Sequence, residues 1–368
     1  MIKGENKITQ FQLFFIIIQT QIGIGVISLP YDVFKISQSD AWISVFVAGC
    51  LMQIAIYLIW LLYRRFQALT IFEMMSEIVG KHVAFLLEIG YIFYFFATAI
   101  LIILQFGQKV NIWILPRTPI WIVSVLLIVI SVLCVKENLR VMARFFVVVS
   151  ILLIVLFTFT LVVLKDLNYL YTLPVGQSGL PNMVKGATNA TFAYQGFELL
   201  LVVFPYCLGK GVGKLKVAFL ANGFVTFFYT YLTMVVLTYF GPSAMKFIPE
   251  PILYIMKFKY FKIIDRVDLL FFSIWIVSVA TSFMMYLYLT SNGLTHLFRK
   301  KNHSLLVFYA AALMIICALT LPTDEKVIKS LSELIDLARY VFIFVLPCIL
   351  LIVSMVRGKK KLSGDVQS

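Results

Sequence analysis

Two short segments interrupt long apolar runs with residues that could do chemistry: Thr20-Gln-Ile-Gly-Ile-Gly-Val26, with Pro30 after it, and Ala193-Tyr-Gln-Gly-Phe-Glu198, with Pro205 after it. Glycines in an apolar helix can serve close helix packing. Paired interruptions at corresponding positions of two halves instead mark helices that unwind around a ligand. An unwound helix leaves N–H groups and partial positive charge at the start of its second half, suited to a carboxylate, and carbonyls at the end of its first half, suited to an ammonium or a metal cation. An amino acid carries both charges, so a zwitterion is the natural ligand; a neutral polyol such as a sugar could use the same groups. Glu198 lies mid-span, where an unpaired charge costs about 2.5–3.5 kcal/mol. It is either a structural carboxylate receiving N–H bonds, or a ligand contact or titrating switch. Tyr94 and Thr98 share one helix face, and Ser278, Thr281 and Ser282 follow one another on a different span. Such residues are interhelical glue unless the fold sets them against the breaks. The adjacent hydroxyls could help hold sodium, but nothing in the sequence supports ion coupling.

The elements that must position these residues are membrane spans. Of 368 residues, 62% are hydrophobic and 13% charged, against roughly 45–50% and ~25% in a soluble domain. Runs long enough to cross a bilayer, about 20 residues each, predict ten spans, at 10–34, 41–63, 85–108, 119–135, 145–164, 183–207, 217–240, 269–289, 304–321 and 340–356. Spans 1 and 6 carry the interruptions and each opens a block of five. Because five is odd, the second block enters from the opposite side. The predicted fold is an all-α polytopic membrane protein with a five-plus-five inverted repeat and broken helices 1 and 6. Repeat one is 8–165 and repeat two 183–357, in one domain 1–357 with a short basic cytoplasmic tail, 358–368. With the N-terminus inside, 18 of the 31 Lys and Arg fall on one side, so both termini are predicted to be cytoplasmic. The net charge of +14 then reports topology and not nucleic acid.

Other features exclude more than they suggest. The five cysteines are scattered and the three histidines have no ligand spacing, so no metal site is expected. The first span is too long for a signal h-region and is expected to be retained. No nucleophile, metal set or phosphate loop supports an enzyme, and no cofactor or catalytic residue is expected. Thr70-Ile-Phe-Glu73 fits a capping box, with Gly80 closing a short amphipathic helix on the inner surface. The run Lys257-Phe-Lys-Tyr-Phe-Lys262 reads as an interfacial anchor.

Several motifs resemble a known family. Ile22-Gly-Ile-Gly-Val-Ile-Ser-Leu-Pro30, Phe192-Ala-Tyr-Gln-Gly-Phe-Glu198, and the stretch from Trp275 to Asn292-Gly293 resemble the B subunits of bacterial spore germinant receptors, the endospore germination permeases. Asn6-Lys-Ile-Thr-Gln-Phe-Gln12 and Asp40-Ala-Trp42 are similar to that family too. The family is in turn similar to the amino acid–polyamine–organocation transporters. The resemblance implies the inner membrane of the dormant spore, detection of a small nutrient germinant, and assembly with a membrane A subunit and a lipoprotein C subunit. Its ligand region corresponds here to Gly23, Ile24, Gly25, Tyr94, Thr98, Gly196, Phe197, Glu198, Thr281 and Ser282. A receptor subunit is the leading expectation, and an ion-coupled secondary amino-acid transporter the alternative. An ion or water channel would need a continuous polar path, whereas these polar positions cluster at mid-membrane.

Overall fold

A few of the helices begin on side-chain caps. Helix α1 (Gln10–Gln21) is entered through Thr9, which accepts the Gln12 N–H at 3.2 Å while the Gln12 side chain accepts the Thr9 N–H at 2.9 Å, a reciprocal box that satisfies two otherwise unpaired donors. After a 3₁₀ turn over Ile24–Val26, α2 (Leu29–Ser37) starts with Pro30 in its first turn, where no backbone donor is needed. A 3₁₀ turn at Gln38–Asp40 leads into α3 (Ala41–Arg65). Then follow α4 (Ile71–Val79), α5 (Lys81–Trp113), α6 (Ile120–Val135), α7 (Leu139–Val149), α8 (Ile151–Leu161) and α9 (Gly179–Ala190). The rest of the bundle is α10 (Leu200–Val203), α11 (Gly211–Met245), α12 (Pro251–Phe258), α13 (Val267–Leu297), α14 (His303–Thr320), α15 (Glu325–Arg339) and α16 (Leu346–Val356). The computed structural model describes residues 6–258, 266–300 and 302–360. Part of the basic aromatic run, from Lys259 on, and residues 361–368 of the tail lie outside them. A strand-like pairing of Ile8 with Cys207 ties the start of α1 to the chain after α10.

Among the described residues, seven helical stretches are long and apolar enough to cross a membrane: Leu29–Arg65, Lys81–Trp113, Leu139–Asp166, Gly211–Met245, Val267–Leu297, His303–Thr320 and Glu325–Val356. Ile120–Val135 and Phe197–Tyr206 are apolar but shorter. α3 packs on α11 and α9, α5 on α13, and α1 lies among α11, α7 and α13, so its last turn is buried even at Gln19, Thr20 and Gln21. The periphery is inverted relative to a soluble protein: Leu126, Ile130 and Leu133 on α6, Val148 on α7, and Ile151 and Ile154 on α8 are exposed. That much contiguous apolar surface belongs against lipid.

The structure moves several boundaries. Helices run past the expected span ends, because a helix continues wherever its charged residues can be solvated. The largest shift is at the last span: expected from 340, it begins as α15 at Glu325, passes through a π-helical turn at Tyr340–Val345 and continues as α16. Pro347, without an N–H, follows that turn, and the Phe342 carbonyl is taken by the Tyr91 hydroxyl at 2.8 Å. The capping box at α4 is present, with Glu73 accepting the Thr70 N–H at 2.7 Å and Gly80 at φ +88°. The helix itself packs on α5 and α16 and buries Ile71, Phe72, Met74, Met75 and Ile78 in the bundle, so its apolar face is not turned to lipid. Buried acids are not confined to Glu198. Asp40 is fully buried and accepts the N–H groups of Gly176 and Ser178 at 2.8 and 2.9 Å, and Glu88 pairs with His296 at 2.7 Å.

Candidate functional site

The chain between α1 and α2 leaves helical geometry at Ile22 and Gly23. Carbonyls at the end of α1 would stand open there, yet α13 and α11 supply donors for them. Ser282 donates to the Thr20 carbonyl at 2.8 Å, Tyr229 to that of Gln21 at 2.7 Å, and Trp275 Nε1 to that of Gly23 at 3.2 Å. Thr281 lies 3.0 Å from Gln19 Oε1 and 3.2 Å from its carbonyl. Thr281 and Ser282 therefore hold the break itself. The Gln21 side chain donates to the Tyr194 carbonyl at 2.9 Å and to Asn222 Oδ1 at 3.1 Å. Both partners are acceptors, which fixes the amide orientation and leaves Gln21 Oε1 buried without a hydrogen-bond partner among the described residues.

The second break follows α9. Gly196 has φ +125°, a conformation L side chains avoid, and a Cβ there would lie 2.9 Å from the Thr20 carbonyl carbon and oxygen. A Cβ on Gly25 would lie 3.0 Å from Ala193 Cα. The two breaks thus meet backbone to backbone, and glycine is what allows it. The fully buried Glu198 accepts the Gly196 N–H at 2.7 Å and is bonded by the hydroxyls of Tyr94, at 3.3 Å, and Tyr286. Gln195 Nε2 donates to the Tyr94 hydroxyl at 2.7 Å. The Gly196 N–H, expected to face a ligand carboxylate, is therefore already occupied by this carboxylate.

A cavity of about 30 Å³ lies where the breaks meet, room for about two waters at ~10–15 Å³ each. Of the ten predicted site residues, Gly23, Ile24, Gly25, Thr98 and Ser282 line it. Tyr94, Gly196, Phe197, Glu198 and Thr281 lie outside its wall, with Tyr94 and Glu198 bonded to the wall residues Gln195 and Tyr286. Sequence reasoning missed Gln21, Gln105, Phe192 and Tyr286, which also line it. Gln21 and Phe192 stand inside or beside the glycine motifs and could have been found there; Gln105 and Tyr286 carry no local signal.

Passage to this cavity is asymmetric. A vestibule of about 470 Å³ opens on the face away from Ile8 and shares Ile24, Gly25, Gln105, Phe192 and Ala193 with the cavity wall. On the face carrying Ile8 and Arg357, a second pocket of about 540 Å³ is lined by Glu73, Glu88, Tyr206, Asn292 and His296. Along α5, Thr98 in the cavity and Glu88 in that pocket are ten residues apart, about 15 Å at 1.5 Å per residue. Tyr91, Tyr94 and Phe95 fill the interval, all buried. The breaks are reached from one side and sealed from the other.

This architecture is that of membrane transporters, and the protein is a multi-pass membrane protein of that fold. It superposes with a TM-score of 0.65 on Mhp1, a nucleobase-cation-symport-1 family transporter in a closed conformation with bromovinylhydantoin bound, at 12% identity over 99% of this chain and 82% of that one. With MhsT in complex with L-phenylalanine the TM-score is 0.64, at 14% identity over 98% and 91%. Residues 7–326 match the spore germination protein family, and the chain belongs to it. It is 27% identical to spore germination protein YndE of Bacillus subtilis (strain 168) over 98% of this chain and 99% of that protein. Spore germination protein A2 of the same organism is 25% identical over 94% of each, and GerQB of Bacillus cereus 24% identical over 79% and 80%.

Proposed function

We propose that this protein is the membrane subunit of a nutrient germinant receptor in the inner membrane of the bacterial spore. It binds a small germinant, an amino acid, at the unwound centres of helices 1 and 6. The observation that carries this reading is the cavity where the two breaks meet, reached by one vestibule and lined by Gln21, whose buried Oε1 has no hydrogen-bond partner among the described residues and would suit a ligand ammonium. Ten spans in two inverted repeats, 8–165 and 183–357, are supported by which expected spans fall short of crossing length. These are spans 1 and 6, the interrupted ones, and span 4, carried by Ile120–Val135. With both termini cytoplasmic, the vestibule faces outward. At about two waters in volume, the cavity must widen to admit an amino acid, and Phe192 stands between it and the vestibule. That movement is the signal: a ligand favours the state it binds more tightly and shifts nothing if it binds both equally. The receptor A subunit and the C subunit lipoprotein would read it.

The transporter fold and the second pocket behind the tyrosine seal favour one alternative, an ion-coupled secondary amino-acid transporter. Spores carrying this receptor alone, challenged with amino acids, sugars and nucleosides, should germinate with one class and not without the receptor. No response to any nutrient would sink the receptor reading. Gradient-dependent uptake of labelled amino acid by the purified protein in liposomes would establish the transporter.

A further inference from the structure

Arg339 ends α15 at the π-helical turn and is only 3% exposed. Its nearest opposite charge, Asp336 Oδ1, is 3.5 Å from Nη2, outside hydrogen-bond geometry, and Asp336 is itself 34% exposed. Nε and Nη1 have no hydrogen-bond partner among the described residues. A guanidinium holds its charge at any accessible pH and carries five donors, so a buried one with most of them unmet is the arrangement folding avoids. Its surroundings say what would satisfy it. The guanidinium carbon lies 6.0 Å from the ring centre of Phe192, the residue that walls both the central cavity and the vestibule, and Asp336 lines the vestibule.

We propose that Arg339 is the carboxylate-recognising residue of this protein. A ligand arriving through the vestibule turns Phe192 aside and presents its carboxylate to the guanidinium, which adds charge-assisted hydrogen bonds to a 3.5 Å ion pair with Asp336 that makes none. The Gly196 N–H is already held by Glu198, so that donor is not free for the ligand carboxylate. Gln21 Oε1, on the same cavity wall, remains for a ligand ammonium. This inference rests on the reading of the breaks as a ligand site, and it narrows the germinant to carboxylate-bearing nutrients.

The test uses full-length protein in lipid nanodiscs at constant ionic strength, with matched probes: acetate against acetamide, L-alanine against L-alaninamide, and D-glucose as a neutral ligand. Wild type should bind at least one carboxylate about 10-fold or more tightly than its amide, the value of a charged hydrogen bond. Arg339→Gln should bring that ratio near one, and Arg339→Lys, which keeps the charge without the planar fork, should lower it several-fold. Should Arg339→Gln fail to fold, the lysine variant decides by the same ratio. A wild type that prefers no carboxylate over its amide overturns the inference, as does a variant that keeps the wild-type ratio. Stabilisation by D-glucose alone removes this inference while leaving the receptor reading in place.

Discussion

Replacing Gly196 with alanine tests whether the two breaks interlock. Two effects add. At φ +125° an L residue is held in a sparsely populated backbone region, at about 1–3 kcal/mol. The new methyl also lies 2.9 Å from the Thr20 carbonyl and 3.0 Å from the Gln21 nitrogen. These are backbone atoms, which cannot rotate away as a side-chain tip would, so overpacking adds about 1–3 kcal/mol. The expected loss is about 2–6 kcal/mol, against a net stability that for folded domains is typically ~5–15 kcal/mol. Gly80 provides the control, since its φ is +88° with nothing within 4 Å of a Cβ. Gly80→Ala should therefore show only the backbone contribution. Reversible denaturant unfolding of both variants in mixed micelles measures the difference, which should exceed about 1 kcal/mol. If Gly196→Ala is no worse than Gly80→Ala, the breaks do not touch as described and the site they enclose loses its geometry.

Three further outcomes are expected. Gly25→Trp cannot fit beside Ala193, 3.0 Å from the Cβ position, and should abolish the nutrient response at normal membrane levels; a normal dose response would remove the cavity from the mechanism. Gly23→Ala places a Cβ 2.3 Å from Ser282 Oγ, so combining it with Ser282→Ala should be less harmful than the two single losses summed, by about 0.5–3 kcal/mol of coupling in a double-mutant cycle. Strict additivity would show that Ser282 does not hold the first break. Glu198→Gln puts an amide nitrogen where the carboxylate accepts from Gly196, Tyr94 and Tyr286. The half-maximal germinant concentration should shift by about 10-fold, one charged hydrogen bond's worth; an unchanged value at normal protein level would make Glu198 purely structural.

What could be read in the sequence follows the range of the interactions involved. The capping box of Thr70 and Glu73 is legible because its partners are three residues apart, and the glycine breaks because residue type alone allows an unwound helix. The Asp40 cap reaches Gly176, 136 positions away, and the Tyr286 bond to Glu198 spans 88, so neither carries a local signal. Arg339 is a different case. Reading spans as charge-poor apolar runs rests on the premise that Arg and Asp lie outside them, and that premise assigns Asp336 and Arg339 to an outer loop. In a fold whose centre is reached by an aqueous vestibule, a helix can carry charge inward along the wall of that vestibule. The rule that makes apolar spans legible is thus the rule that conceals a charged residue within one. For a chain of this kind, the acids and bases just beyond a predicted span end, on the face where the broken helices open, deserve to be tested first as ligand contacts.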